Sequence, residues 1–119
     1  MGDFENLTDR EFMAQVAKRP GMYTGFVSYE RMVHFLTGYD IGQRRSGAQG
    51  LDGFPEWLVA RVGRSSSLGW PHLALLAAFP DRDLNPYRLA GEEESEVVAG
   101  LFVVLDQFLA EREASGAAT

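Results

Sequence analysis

The sequence predicts an all-α fold, organised as a single domain of four to five short helices around one core. Apolar residues recur at helical spacing in several segments, and prolines and capping residues separate these segments. No stretch of useful length alternates between apolar and polar residues, as a half-buried strand would. The chain has 119 residues, of which 45% are hydrophobic and 24% are charged. This length and composition suit one globular domain over residues 1–119, in which we expect residues 1–7 and 114–119 to fray.

The first helix is predicted to begin after Thr8, which opens a capping box with the glutamate that follows three residues later. Apolar residues then occur at helical spacing. We expect this helix to end at Lys18 or Arg19, because Pro20 disfavours a helical conformation in the residue before it. The segment from Pro20 to Gly25 is therefore predicted to be a turn or a short loop.

A second helix is predicted after Ser28, a residue type that caps helix N-termini well. Its apolar stripe consists of Met32, Phe35, Leu36 and Tyr39. Glycines weaken its C-terminal end, because glycine has a low helix propensity. Residues 41–53 contain several more glycines and are predicted to form a surface loop.

Prolines mark the starts of the next two helices. Pro55 follows Phe54 at a helix start, where the missing N–H of proline has no cost, and Gly63 ends this third helix. Pro71 begins the fourth helix in the same way, and Pro80 ends it. Because the fourth helix is apolar on nearly all sides, we expect it to be the central and most buried one.

The last helix has acidic residues at its N-terminus, where the helix dipole favours negative charge. Residues 81–91 form the predicted loop before it. Its broad apolar face must pack against the rest of the domain. This face consists of Val97, Val98, Leu101, Phe102, Val104, Leu105, Phe108 and Leu109.

The net charge of −6 bears on possible partners. It disfavours generic binding to nucleic acid and favours an encounter with a basic protein, although solubility alone also explains it. The sequence contains no cysteine, which excludes disulfides and thiolate metal sites. With no apolar run long enough for a membrane span and no signal-peptide layout, we expect a cytoplasmic protein with no membrane partner.

The sequence offers little support for catalysis. His34 and His72 are not spaced for a metal site, and no nucleophile-elbow pattern surrounds the serines of residues 65–67. These serines are better explained as cap or turn residues. Asp81 and Asp83 lack the glycine and distal glutamate of a calcium loop. We therefore expect no enzyme activity, no metal and no cofactor.

The segment Lys18–Gly25, KRPGMYTG, resembles the KRPGMYIG segment of the ATPase domain of the DNA gyrase B subunit. The resemblance implies a tyrosine beside a nucleotide, at Tyr23. It ends after Gly25, and the DxGxG turn and glycine-rich lid of that family do not follow. ATP hydrolysis is therefore not expected, and Tyr23 and Met22 are predicted to pack internally or to contact a partner.

A broader pattern is similar to small bacterial proteins of the immunity or toxin-neutralising kind. The matching segments are RPGMYTG, a helix ending in LTGYD, Phe54 with Trp57, Leu58 and Arg61, Ser67 with Gly69 and Trp70, and the last helix. This resemblance implies a single-domain cytoplasmic protein that binds another protein and needs no cofactor. The aromatic and arginine side chains have a second interpretation as core residues, since two tryptophans would dominate so small a core.

We therefore predict an immunity-type protein that binds and neutralises a toxin by occlusion, with acidic residues docking on a basic surface. The predicted partner-binding residues are Glu92, Glu93, Glu94, Glu96, Asp81, Asp83, Tyr23, Arg61 and Trp70. An alternative role for the glutamates is to stabilise their own helix N-terminus. Two other functions remain open: a nucleotide or small-ligand module that uses the Arg19–Gly25 turn, and a regulatory subunit that dimerises through the last helix.

Overall fold

The computed structural model describes residues 6–117, which contain six α-helices and no strand. The helices are α1 (Asp9–Lys18), α2 (Pro20–Thr24), α3 (Tyr29–Arg45), α4 (Phe54–Val62), α5 (Trp70–Ala78) and α6 (Glu94–Ala117), with a 3-10 turn at Gly91–Glu93. The all-α prediction is confirmed. The fraying predicted for the chain ends falls largely on residues 1–5 and 118–119, which lie outside the described residues. Where the C-terminal segment is described, α6 stays helical to Ala117.

The capping residues identified in the sequence are confirmed. Thr8 accepts a hydrogen bond from the backbone N–H of Glu11, and Glu11 accepts one from the backbone N–H of Thr8, which completes the capping box. Ser28 accepts from the N–H of Arg31 at the start of α3. Gly63 ends α4 with a φ of 88°, a left-handed conformation that glycine adopts without steric cost.

The segment predicted as a turn at Pro20 instead forms α2, a single helical turn. Proline fixes φ near the helical value, so it suits the first position of a helix even though it ends the one before it. The hydroxyl of Thr24 donates to the carbonyl oxygens of Pro20 and Phe26, and Gly25 ends the turn with a φ of 91°. The chain therefore reverses direction sharply before α3.

The loop predicted for residues 41–53 is also shorter than expected, because α3 continues to Arg45. The two glycines in its C-terminal half do not end it. An ion pair of 3.0 Å between Asp40 and Arg44 spans the last turn, and the side chain of Gln43 contacts Tyr39 and Asp9. These contacts offset the low helix propensity of glycine, which costs about 1 kcal/mol relative to alanine at each position inside a helix.

One hydrophobic core joins the helices, and α6 lies at its centre. The predicted apolar face of α6 is buried along its length, and α6 packs against α1, α3, α4 and α5. The prediction that the fourth helix, α5, is the central and most buried one is confirmed for burial, because no residue of Trp70–Ala78 is exposed. The helix that contacts most of the others is α6. The N-terminal half of α5, Pro71–Leu75, is buried, whereas residues 76–78 are only partly covered.

Aromatic side chains form the part of the core between α4, α5 and α6. Phe54 is fully buried, and its ring centroid lies 5.2 Å from that of Phe108 and 5.7 Å from that of Trp70. Trp57 packs against both phenylalanines. Both tryptophans are partly buried and pack against the core, as the structural interpretation of these residues predicts.

A polar cluster joins α1, α3 and α6. Arg112 donates to Asp9 at 2.9 Å and to the carbonyl oxygen of Gly50 at 3.0 Å. The hydroxyl of Tyr39 also donates to Asp9. Burial, followed by the hydrogen bond to Asp9, raises the pKa of Tyr39 to about 12.

This pKa predicts a loss of stability at alkaline pH. The ordinary pKa of tyrosine is 10.0, so the unfolded chain loses the Tyr39 proton first as the pH rises. The contribution is fully present below pH 10 and is lost as the pH rises through about 12. We expect the free energy of unfolding, measured by urea unfolding, to fall less steeply for Tyr39→Phe than for the wild type between pH 10 and about pH 12. Burial also raises the pKa of Tyr29, so both proteins lose some stability over this pH range. An equal pH dependence of the free energy of unfolding for both proteins would contradict the prediction.

Candidate protein-binding surface

The acidic cluster at the start of α6 makes many contacts within the protein. Arg82 donates to Glu96 and Glu93, each at 2.8 Å, and its hydrogen bond to Glu96 is the main cause of a raised Arg82 pKa. Glu93 also accepts from the backbone N–H of Ala90 at 3.0 Å. These two carboxylates therefore balance a loop arginine, and Glu93 also caps the turn before α6. This is the alternative role that the sequence left open.

Glu94 links α6 to α3. Its carboxylate accepts a hydrogen bond of 2.6 Å from the backbone N–H of Tyr29, the first residue of α3. The hydroxyl of Tyr29 is buried and donates to the carbonyl oxygen of Pro71 at 2.7 Å. The first contact holds the acidic start of α6 against the start of α3, and the second joins α3 to the start of α5.

The remaining predicted acids differ in their surroundings. Glu92 and Asp81 are exposed, and neither forms an ion pair with another residue in the described part of the chain. The carboxylate of Asp83 lies 3.0 Å from the imidazole of His72. Among the predicted acids, Glu92 and Asp81 therefore have carboxylates available for an external charge. Docking through the whole cluster stays a prediction.

The other three predicted residues pack against neighbouring side chains. Tyr23 is half-buried between two rings of the core, Trp70 packs on Phe54, and Arg61 lies over the ring of Trp57. Arg61 also donates to Gln107 at 2.8 Å. Because Gln107 is about 20 Å along the α6 axis from its acidic start, the structure does not bring Arg61 together with the glutamates.

The structure reveals an exposed apolar surface that the sequence analysis identified only in part. Met22 on α2 is 66% exposed, and Phe26 in the following loop is 58% exposed. The guanidinium of Arg31 lies 3.9 Å from the centre of the Phe26 ring and donates to the carbonyl oxygen of Thr24. We call the surface formed by Met22, Phe26, Arg31, Lys18 and Arg19 the corner surface.

Position and charge distinguish this corner surface from the rest of the molecule. Lys18, Arg19 and Arg31 form no ion pair with any acidic residue between positions 6 and 117, although the chain as a whole is acidic. The bond between Glu94 and Tyr29 places the acidic start of α6 beside the same loop. The segment from Lys18 to Arg31 therefore carries two exposed apolar side chains and three basic residues without an acidic partner among the described residues, and its end adjoins the acidic start of α6. The sequence analysis named Met22 for internal packing or for a partner contact, and its 66% exposure contradicts internal packing.

A second group of polar side chains joins α5 to the loops before and after it. The hydroxyl of Ser66 is 2.7 Å from Nδ1 of His72, whose Nε2 is 3.0 Å from Oδ1 of Asp83. The sequence analysis considered these residues separately, because His72 and Asp83 are eleven positions apart and no sequence motif connects the three residues. Only the fold of the two loops around α5 reveals their proximity.

Comparison with protein-family models, with curated proteins and with solved structures finds no match for this chain. Within residues 6–117, no helix is both long enough and apolar enough to cross a membrane. The same part of the chain contains no group of three or more histidine and acidic side chains arranged to hold a metal ion. The physical character of the surface is therefore the basis for a functional proposal.

Proposed function

We propose that this chain is a protein-binding domain whose partner docks on the corner surface. The observation that carries the proposal is the exposure of Met22 and Phe26, two large apolar side chains four residues apart. Burial of one such side chain on binding contributes about 1.5–3 kcal/mol. Exposed apolar residues with charged neighbours match the usual anatomy of an interface, an apolar centre with a polar rim.

The local structure supports this role because it holds the two side chains outward. Gly25 reverses the chain between them, and Thr24 fixes the reversal through its two hydrogen bonds. A side chain held in place before binding loses less entropy when the partner docks. Arg31 covers one side of the Phe26 ring and leaves the ring 58% exposed.

The surrounding charges favour a partner with an apolar pocket and charges of both signs around it. Lys18, Arg19 and Arg31 suit acidic groups, whereas Glu92 suits a basic group on the other side. Occlusion of a toxin, as in the immunity-type proteins that the sequence resembles, is the specific form of binding that we propose. Its mechanism is steric, because the domain would cover its partner's surface.

The proposal is tested with the wild-type protein and the double variant Met22→Ser/Phe26→Ser. Each protein is immobilised on a resin. Proteins that the wild type retains from a native lysate are purified, and their affinity for the wild type and for the double variant is measured by calorimetry. If each of the two side chains contributes more than about 1 kcal/mol to the binding free energy, the double variant should bind at least about 30-fold more weakly than the wild type. The two substituted positions are exposed, so circular dichroism should show an unchanged helical fold.

A matched control replaces two exposed apolar residues elsewhere, Ile41→Ser/Val59→Ser. This control should bind like the wild type. If both double variants bind equally well, the corner surface is not the docking site. Glu92→Gln tests the acidic rim in the same titration, because it should change the salt dependence of the affinity without breaking a contact within the protein.

A further inference from the structure

Ser66, His72 and Asp83 form a hydrogen-bonded chain of nucleophile, base and carboxylate. The Ser66 hydroxyl lies 2.7 Å from Nδ1 of His72, and Asp83 lies 3.0 Å from its Nε2. A nucleophile within hydrogen-bond reach of a base, which is itself oriented by a third group, is the arrangement that activates serine in hydrolytic enzymes. The three residues come from the α4–α5 loop, from α5 and from the loop after α5.

The hydrogen bond to Asp83 determines which nitrogen of the His72 imidazole carries a proton. A carboxylate only accepts hydrogen bonds, so Nε2 of His72 carries the proton that is donated to Asp83. In the neutral imidazole Nδ1 is then an acceptor, and the Ser66 hydroxyl donates to it. In this tautomer the Ser66 hydroxyl donates to the ring nitrogen that would take its proton. Serine proteases use the two ring nitrogens in the opposite order, but each nitrogen of imidazole accepts a proton.

The fold holds this chain in place. His72 lies in the first turn of α5 and is only 8% exposed, which restricts its ring to one orientation. The backbone N–H of Leu68 donates to the Ser66 oxygen at 3.1 Å. That donor, together with the positive end of the α5 dipole, favours negative charge on the same oxygen. Of the cap and turn roles predicted for the serines, the turn role is the one observed, because Gly69 is the N-cap of α5 and no side chain caps this helix.

We propose that Ser66 is a nucleophile that accepts an acyl group from small esters of acidic alcohols. Its oxygen bonds to the ester carbonyl carbon while its proton passes to Nδ1 of His72. The bond from that carbon to the alcohol oxygen then breaks, and the proton on Nδ1 passes to the departing alcohol. Water repeats the sequence: it attacks the acyl carbon, gives its proton to Nδ1, and releases the carboxylic acid as the proton returns to Ser66.

The exposure of the site selects the class of substrate. Ser66 is half-buried at the surface, and the side chain of Asp83 is 81% exposed. An open site of this kind reaches only an unhindered carbonyl group and has few contacts with a large substrate. Asp83 is a positioning residue, because it orients His72 and does not touch the ester. This activity goes beyond the proposed function and needs no partner protein.

The test treats the full chain with an alkyl fluorophosphonate, which bonds to an activated serine with loss of fluoride. The modified serine is located by mass spectrometry of peptides, and release of 4-nitrophenolate from 4-nitrophenyl acetate is followed in parallel. General-base assistance of even the smallest usual size should make Ser66 react roughly a hundredfold faster than an unassisted serine. Ser65 and Ser67 on the same loop are exposed and provide the internal comparison.

Variants distinguish activation from packing. Ser66→Ala should abolish the enhanced labelling and the ester cleavage, and Asp83→Asn should slow both. Asp83→Glu should restore part of the rate, which a purely structural effect on the loop would not explain. Because Asp83 is exposed, both of its variants should retain the wild-type circular dichroism spectrum. Equal labelling of Ser65, Ser66 and Ser67 in the wild-type protein would overturn the proposal without any variant.

Discussion

Replacing Phe54 with alanine is expected to lower the free energy of unfolding by about 3–5 kcal/mol, the usual cost of removing a fully buried phenylalanine. Its ring contacts Trp57, Trp70 and Phe108, so it joins α4 to both α5 and α6. These neighbours are large and held by other contacts, so they cannot easily fill the cavity. Urea unfolding followed by circular dichroism measures the loss.

Two controls accompany this variant. Phe54→Leu keeps most of the apolar volume and should cost clearly less than the alanine variant. Tyr87→Ala removes an aromatic ring of similar size from an exposed position and should have a small effect. A loss of less than about 1 kcal/mol for Phe54→Ala would mean that the aromatic cluster is not the rigid junction of α4, α5 and α6.

Replacing Arg112 with methionine is expected to cost about 2–3 kcal/mol. The side chains of Arg112 and Asp9 are 19% and 20% exposed, which places this pair between exposed pairs, worth about 0–1 kcal/mol, and buried ones, where loss of one partner costs about 3–5 kcal/mol. Methionine retains the apolar stem but leaves Asp9 and the Gly50 carbonyl without the guanidinium. Unfolding at neutral pH measures the effect.

The contrast with Arg10 isolates the role of burial. Arg10 forms a shorter ion pair, 2.7 Å to Asp106, and this hydrogen bond lowers the pKa of Asp106, but both side chains are more than two-fifths exposed. Arg10→Met should therefore destabilise the protein much less than Arg112→Met. A double-mutant cycle of Arg112→Met with Asp9→Asn should give a coupling energy of about 1–2 kcal/mol. No coupling would assign the loss to the Gly50 carbonyl and to packing on Phe108.

Helix positions were predictable where the deciding interaction lies within one helical turn. The capping box at Thr8, the cap at Ser28 and the glycine at Gly63 each act on backbone groups only a few residues away. The prolines at the starts of α4 and α5 act in the same local way. The sequence prediction failed at α2 and at the C-terminal turn of α3, where local signals for and against a helix oppose each other.

The end of α3 shows why such cases are difficult to predict. Two glycines disfavour the helix locally, but Gln43 contacts Asp9, which is 34 residues away in sequence. The gain comes from a partner whose position depends on packing of α1 against α3. No window of sequence around Gln43 contains that information.

The candidate surfaces were predicted less well than the helices. The sequence identified the acidic residues of α6, but not that Arg82 neutralises Glu93 and Glu96. For Met22 it left internal packing and a partner contact open, and only the structure shows that this side chain is exposed. It also did not identify the exposure of Phe26 or the alignment of Ser66, His72 and Asp83. Each of these features depends on which side chains meet after the loops have folded.

For this protein, the sequence by itself determined the all-α class, most helix starts and the apolar face of α6. These features depend on backbone geometry, capping and the periodicity of apolar residues, all of which act over a few neighbouring positions. Only the tertiary structure decided which charges are neutralised, which apolar side chains stay exposed and which serine meets a histidine. These outcomes depend on distances between groups far apart in the chain, such as Glu94 and Tyr29, and the packed core sets those distances.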